Sequence, residues 1–112
     1  MDKAQQEILE QVYQVVCERR QADAESSYVA SLYAKGLDKI LGKIGEEAVE
    51  TAVAAKGGDP SEVVSEMADL WFHCLVLLGY YELPPEKIFA ELQRRFGVSG
   101  HAEKAARQGK GK

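Results

Sequence analysis

The sequence predicts an all-α protein, an antiparallel helical bundle built on a helix-turn-helix hairpin. Apolar residues recur at three- and four-residue steps along most of the chain, which is the period of a helix with one buried face. No run of alternating apolar and polar residues competes with this pattern. The segment KGGDP, residues 56–60, joins a helix-stop glycine to a helix-start Asp-Pro pair, which predicts a tight turn between two long helices.

Size and composition indicate a single globular domain. The chain has 112 residues, of which 46% are hydrophobic, too few for a second core. Its formal net charge of −4 predicts no nucleic-acid partner, because non-specific binding to a polyanion needs a positive surface. Cys17 and Cys74 lie in apolar helical patterns without a short spacing, so we expect reduced core thiols.

The beginning of the chain, MDKAQQEILE, lacks the apolar segment of a signal peptide. No stretch approaches the roughly 18 to 20 apolar residues of a membrane span. These observations predict a cytoplasmic protein with no membrane partner.

The first two helices follow from periodicity and capping. The first is expected from about residue 4 to residue 20, where Ile8, Val12 and Val16 share one face. The second begins near residue 28, with Ser26 or Ser27 as the residue that caps its free N–H groups. Gly36 is the point where this helix bends or breaks.

The third and fourth helices form the predicted hairpin. The third runs from residue 37 to Lys56 and stops at the glycines that follow. The fourth starts with Asp59 as N-cap and Pro60 in the first helical position, and it ends before the Leu83-Pro84-Pro85 segment. The apolar stripe of the third helix is Leu37, Ile40, Leu41, Ile44, Ala48, Thr51, Ala52 and Ala55, and that of the fourth is Val63, Met67, Leu70, Cys74, Leu77 and Leu78.

The last predicted helix runs from Glu86 to Phe96 and stops at Gly97. The segment HAEKAARQGKGK, which follows Gly100, has almost no large apolar residue, so we expect a flexible basic tail. The chain therefore divides into a helical domain, residues 1–98, and a tail, residues 99–112.

Two glutamates border the apolar stripe of the third helix. At about 100° per residue, Glu47 lies roughly 60° to one side of Ile44, and Glu50 roughly 120° to the same side. Glu46 points nearly opposite. A glutamate that only needs solvation could lie on the back of the helix, so solvation alone does not explain why Glu47 lies beside the apolar stripe.

The fourth helix carries a matching acidic pair. Relative to Leu70, Glu66 lies about 40° and Asp69 about 100° to one side. Because the connecting turn is short, the two helices are antiparallel neighbours. Glu50 and Glu66 are then level with each other, each roughly 9 Å from the turn, and Glu47 is level with Asp69.

Four neighbouring carboxylates repel one another unless a cation supplies the missing charge. Oxygen-only ligands suit Mg²⁺, with Mn²⁺ as a substitute, rather than zinc. Two alternatives remain open. The acids can be solvated side chains at the borders of amphipathic helices, or they can hold two iron ions. Di-iron bundles, however, have a histidine at the position that Asp69 occupies here.

Basic residues precede the acidic pair of the third helix. Lys35, Lys39 and Lys43 recur every four residues, with Asp38 among them. Ammonium groups beside a metal suit a polyphosphate substrate, although a solvated face with i,i+4 ion pairs explains them equally well. His73 lies one turn beyond Asp69, where it either contacts substrate or packs.

Two runs of this sequence closely resemble the phosphoribosyl-ATP pyrophosphatases, the histidine-biosynthesis family of the MazG-like all-α nucleotide pyrophosphohydrolases. They are SSYVASLYAKGLDKILGKIGEEAVETAVAAK and VVSEMADLWFHCLVLL. The superfamily signature, E-x-x-E followed by E-x-x-D, is matched by Glu47, Glu50, Glu66 and Asp69. The segments SSY, AKGLDKIL and GEEAxE point to this family among its relatives.

The resemblance implies Mg²⁺-dependent hydrolysis of phosphoribosyl-ATP to phosphoribosyl-AMP and pyrophosphate, the second step of histidine biosynthesis. It implies that the four signature acids hold the metal and that Glu46 supports these ligands without binding the metal, is a further ligand, or helps to orient water. It also implies a homodimer that completes the core. The residues expected to bind substrate are Ser27, Tyr28, Lys35, Asp38, Lys39, Lys43 and His73.

Two other functions remain open at this point. One is a MazG-like house-cleaning nucleoside triphosphate pyrophosphatase, which would use the same acids on other nucleotides. The other is a non-catalytic helical interaction module whose acidic edge is merely solvated.

Overall fold

The computed structural model describes residues 7–97, and within that range the all-α prediction is confirmed. The predicted basic tail and the start of the first helix, residues 4–6, lie outside the described residues. No strand occurs between residues 7 and 97. The helices are α1 (Ile8–Glu18), α2 (Tyr28–Lys35), α3 (Leu37–Gly57), α4 (Pro60–Tyr80) and α5 (Pro85–Phe96).

The turn between α3 and α4 forms as its residues predict. Gly58 has φ 86° and ψ 10°, a left-handed conformation that glycine adopts without strain. Its N–H donates to the carbonyls of Ala54 and Ala55 at 3.2 and 3.1 Å, which closes α3. The Asp59 carboxylate then accepts from the backbone N–H of Ser61 at 3.0 Å and caps α4.

Gly36 interrupts the chain between α2 and α3, with φ 98°. Lys35 therefore belongs to α2, whereas Lys39 and Lys43 belong to α3, so the three lysines do not form one row along a single helix. At the other end of α2, Ser27 is the cap: its hydroxyl oxygen accepts from the N–H of Ala30 at 3.2 Å.

A small core joins α1 and α2 to the hairpin. Its buried members are Val16, Val29, Leu32, Ile40 and Val76. Two side-chain hydrogen bonds reinforce the attachment, because Tyr33 donates to the Val76 carbonyl at 2.6 Å and Arg20 donates to the Gly79 carbonyl at 2.7 Å. The C-terminal half of α4 is therefore fixed against α1 and α2.

The predicted apolar stripes are only half covered, and this corrects the sequence interpretation. On α3 the buried positions are Ile40, Glu47 and Ala54, which repeat every seven residues. The centre of the covered side therefore lies at Glu47, roughly 60° from the predicted centre at Ile44. Away from the covered side, both helices leave apolar residues exposed, and we call this surface the hairpin face: Leu41, Ala48 and Ala52 of α3, with Val64, Met67 and Trp71 of α4.

Two further expectations need correction. Cys74 is exposed and Cys17 is half-buried, so neither is a buried core thiol. The expectation that no stretch is apolar enough for a membrane span also needs correction, because helix α4 passes that test by length and composition alone. Core helices of soluble proteins pass the same test, and the acidic residues Glu66 and Asp69 in the middle of α4 would be costly in a bilayer.

Candidate metal centre

Three carboxylates from the two hairpin helices converge at one point. Glu47 of α3 and Glu66 and Asp69 of α4 each offer an oxygen, and these oxygens all lie within 4.8 Å of one another. Glu47 is only 6% exposed, Glu66 is half-buried and Asp69 is exposed. The cluster therefore opens to solvent on the Asp69 side and is closed on the Glu47 side.

Two oxygens of this cluster are buried without a hydrogen-bond partner in the described part of the chain. They are Oε2 of Glu47 and Oε2 of Glu66. A buried, unpartnered carboxylate oxygen is costly, and a hard divalent cation is the ligand that would relieve it. The donor set contains only carboxylate oxygens, so it fits Mg²⁺ or Mn²⁺ better than zinc.

Glu50 lies beside Glu66, as the level arrangement of the two helices predicts. Burial raises the pKa of Glu66, and hydrogen bonding with Glu50 raises it further. The negative charges of Glu50, Glu47 and Asp69 act in the same direction. Glu50 itself is exposed and outside the three-oxygen cluster, so its role as a fourth ligand stays a prediction.

Lys43 sits at the closed end of the cluster. Its Nζ lies 3.6 Å from Oε1 of Glu47 and 4.0 Å from Oε1 of Glu46. Burial lowers the pKa of Lys43, but nearby Tyr28, Glu46 and Glu47 outweigh this effect and raise it. The side chain of Glu46 is 57% exposed, which agrees with its expected direction away from the helix seam.

Tyr28 and His73 form a hydrogen-bonded pair at the edge of the cluster. The Tyr28 hydroxyl lies 2.8 Å from Nε2 of His73, and Nδ1 of His73 lies 2.8 Å from the backbone carbonyl oxygen of Asp69. Burial raises the pKa of Tyr28, Lys43 lowers it, and Glu47, Glu46 and Asp69 raise it. Tyr28 is therefore within electrostatic reach of the acids. No sequence signal pairs these residues, which are separated by 45 positions.

The remaining sequence-predicted substrate residues are less tightly placed. Lys35, Asp38 and Lys39 are exposed, and their part in binding stays a prediction. The hydroxyl of Ser27 is engaged as the cap of α2. Helix α2 thus begins next to the cluster, with Tyr28 as its first residue.

The chain is similar to proteins of one enzyme family. The model of a family described as phosphoribosyl-ATP pyrophosphohydrolase matches residues 9–96. A phosphoribosyl-ATP pyrophosphatase of Geobacter metallireducens is 62% identical over 101 residues, which cover 90% of this chain and 93% of that protein. Proteins of the same name from Geobacter sulfurreducens and Methylococcus capsulatus are 58% and 54% identical, and the matches cover 94% and 97% of those proteins.

Proposed function

The chain belongs to the phosphoribosyl-ATP pyrophosphohydrolase family, whose members are hydrolases of a phosphoric anhydride, and from this premise we propose how it acts. It hydrolyses phosphoribosyl-ATP to phosphoribosyl-AMP and pyrophosphate, in the histidine-biosynthesis pathway, and the reaction depends on Mg²⁺. The convergence of Glu47, Glu66 and Asp69 within 4.8 Å is the observation that carries the metal dependence.

Both hairpin helices contribute acids to the proposed metal site. Glu47 and Glu50 of α3 face Glu66 and Asp69 of α4, and together they would hold the metal. The chemistry that Mg²⁺ supplies when bound is polarisation of phosphate oxygens and a lower pKa of water. The buried, unpartnered oxygens of Glu47 and Glu66 support this assignment, because a divalent cation would supply the partner that they lack.

Lys43 and Glu46 have supporting roles in this proposal. The ammonium group of Lys43 is directed at Glu47 and can also reach a phosphate oxygen of a bound nucleotide. The carboxylate of Glu46 also attracts the ammonium group of Lys43 and thereby limits the directions in which that group can point. Lys35 and Lys39, both exposed, would neutralise the outer phosphates.

We also propose that the protein works as a cytoplasmic homodimer. The hairpin face leaves Trp71 53% exposed and Val64 69% exposed, which is unfavourable for a monomer in water. A second copy that covers this surface would leave the acidic side of the hairpin open to substrate. A highly charged nucleotide substrate is retained in the cytoplasm, which supports that location.

A direct assay tests the function. Purified protein is incubated with phosphoribosyl-ATP, with Mg²⁺ or with a chelator, and released pyrophosphate is measured. We expect release only with Mg²⁺, and little release from ordinary deoxynucleoside triphosphates. A preference for those triphosphates over phosphoribosyl-ATP would instead support the house-cleaning activity, and no release from either would support an interaction module.

A further inference from the structure

The two side-chain oxygens of Glu47 lie in different environments. Oε1 lies 3.6 Å from Nζ of Lys43, whereas Oε2 is buried and has no hydrogen-bond partner in the described part of the chain. The side chain of Glu47 is only 8% exposed, so packing restricts the rotation of its carboxylate. One oxygen is therefore paired with an ammonium group, and the other is available to a cation.

A second carboxylate and partial burial hold Lys43 beside Oε1. Its Nζ also lies 4.0 Å from Oε1 of Glu46. Glu46 and Glu47 follow Lys43 by three and four residues, and both spacings make neighbours on a helix surface. The side chain of Lys43 is 22% exposed, so it has little room to turn away into solvent.

The balance of charge indicates that Lys43 stays beside Glu47 when a cation binds. Three carboxylates converge at the site, and one divalent cation leaves part of their negative charge uncompensated. This remainder, together with the charge of Glu46, continues to attract the ammonium group. A bound cation therefore does not have to displace Lys43 from Oε1. Because an ammonium group has three N–H donors, a phosphate contact by Lys43 remains compatible with this pairing.

We propose that Lys43 is a positioning residue that limits Glu47 to one metal-binding oxygen and thereby makes the site selective against Ca²⁺. Ca²⁺ takes roughly 6 to 8 oxygen ligands and often binds both oxygens of a carboxylate. Mg²⁺ is smaller, needs near-ideal octahedral geometry and keeps several water ligands. Pairing of Oε1 with Lys43 therefore removes a ligand that Ca²⁺ would use and that Mg²⁺ does not need.

This inference rests on the metal site of the proposed function and adds the ion that the site rejects. Ca²⁺ and Mg²⁺ carry the same charge, so the charge of the acids does not by itself distinguish them; the number and geometry of the oxygens must. Glu47 is the most buried of the three converging acids, and the cluster is closed on its side. Water is therefore poorly placed there to replace the oxygen that Lys43 holds.

Competition with Mn²⁺ measures this selectivity in the free protein, without substrate. Metal-free protein is titrated with Mn²⁺, whose free ion is followed by electron paramagnetic resonance, and Mg²⁺ or Ca²⁺ is then added to displace it. The binding that Glu66→Gln abolishes belongs to the site. The quantity compared between variants is the Ca²⁺ dissociation constant divided by the Mg²⁺ dissociation constant.

Lys43→Met removes the ammonium group and keeps an unbranched side chain. We expect the ratio to fall about fivefold from the wild-type value, because Ca²⁺ gains the second oxygen of Glu47. Lys39→Met is the matched control, since Lys39 is exposed and lies on the same helix about 12 Å along the axis from Glu47. Loss of its charge should strengthen the binding of both ions equally and leave the ratio unchanged.

Two results would overturn the proposal. If Lys43→Met binds both ions more tightly at an unchanged ratio, Lys43 only competes with the cation for Glu47. If Lys39→Met lowers the ratio as much, loss of charge explains the change and the contact with Glu47 does not. Lys43→Ala removes the ammonium group independently, with the residue of highest helix propensity, and should give the same ratio as Lys43→Met.

The outcomes also separate this inference from the proposed function. If the wild-type protein releases no pyrophosphate from phosphoribosyl-ATP, the proposed reaction is wrong, and the ratios still confirm or reject the role of Lys43. If the wild type is active with Mg²⁺ and the ratio does not depend on Lys43, only this inference is wrong. A wild-type protein that binds no Mn²⁺ would contradict the metal centre and this inference together.

Discussion

Glu47 occupies a position where packing alone would favour an apolar side chain. Ile40 and Ala54, one heptad before and after it, are buried on the same side of α3. Glu47 is 6% exposed and keeps one oxygen without a partner in the described structure, which destabilises the fold. Residues that break a packing rule in this way are expected at functional sites, where binding of a cation compensates for the loss.

The same reasoning predicts opposite effects of Glu66→Gln on stability and on activity. Without metal, the variant should melt at a higher temperature than the wild type, because burial and neighbouring acids oppose the Glu66 charge. With Mg²⁺, the wild type should gain stability and the variant should not. Pyrophosphate release should fall by at least about 100-fold. Thermal melts with Mg²⁺ or chelator, together with the activity assay, measure all three effects.

Glu62→Gln is the matched control for this prediction. Glu62 is an exposed glutamate in the first turn of the same helix, and it is not a member of the cluster. It should retain both the Mg²⁺-dependent rise in melting temperature and the activity. A variant of Glu66 that still responds to Mg²⁺ as the wild type does would contradict the assignment of Glu66 as a ligand.

The sequence predicted that Glu47, Glu66 and Asp69 meet, but not that Glu50 lies outside their cluster, nor how deeply each acid is buried. The i,i+3 spacing and the short turn were enough to bring Glu47, Glu66 and Asp69 together. The burial of Glu47 was not predicted because the covered side of α3 is centred on Glu47, roughly 60° from the middle of the apolar stripe, and the hydrophobic pattern does not specify this displacement. The bond between Tyr28 and His73 depends on how α2 packs against α4, and no local pattern specifies that packing.

At the scale of elements, α4 is fixed at its C-terminal half and carries the site in its N-terminal half. Tyr33 and Arg20 donate to the carbonyls of Val76 and Gly79, near the end of the helix. Gly79 has no side chain, which allows Tyr33 and Val16 to approach the helix backbone closely. The position of the acids Glu66 and Asp69 on α4 therefore depends on packing about two or more turns away.

Adding a methyl group at Gly79 should loosen this attachment. In Gly79→Ala the new Cβ would collide with the Tyr33 hydroxyl and lie 3.4 Å from Val16. Helix propensity favours alanine by about 1 kcal/mol, but overpacking typically costs about 1 to 3 kcal/mol, so we expect net destabilisation. Urea unfolding of Gly79→Ala measures the change.

Gly42→Ala is the control for propensity. Gly42 lies inside α3, and among the described residues no neighbouring side chain comes within 4 Å of the place that a Cβ would take. Alanine there should therefore stabilise the protein by up to about 1 kcal/mol. If both variants shift stability in the same direction, steric contact at Gly79 is not the determining factor.

Low pH should remove a stabilising contribution that Glu91 makes on helix α5. Hydrogen bonds from Arg94 and Arg95 hold the pKa of Glu91 at about 2, below its ordinary value of 4.5. A carboxylate whose pKa is lower in the folded state stabilises the fold above pH 4.5, and this contribution is lost as the pH falls towards 2.

The Glu91→Gln variant isolates that contribution. At pH 7 and low salt, it should be slightly less stable than the wild type, since exposed ion pairs contribute little. The difference should shrink as the pH falls from 4.5 to 2, and it should also shrink at high salt. Unfolding curves at several pH values measure it, and a difference that grows in acid would contradict the ion-pair explanation.

At the scale of the whole molecule, one chain does not bury enough apolar surface. The hairpin face remains exposed, and so do Ile88, Leu92 and Phe96 on α5. Most of this surface belongs to helices that also carry the acids, so its burial would affect the rigidity of the site.

A charge on the hairpin face should therefore dissociate the proposed homodimer. In Trp71→Glu, a large aromatic side chain that is 53% exposed in the single chain is replaced by a carboxylate that would be desolvated at the interface. We expect the dimer dissociation constant, measured by sedimentation equilibrium, to rise roughly 30-fold or more. Ala34→Glu, at an exposed position on α2, adds the same charge away from this face and should leave the constant unchanged. A wild-type chain that stays monomeric at all concentrations, or a dimer that both variants retain, would show that the hairpin face is not the interface. The melting temperature gives an independent check, because only a dimer becomes more stable as its concentration increases.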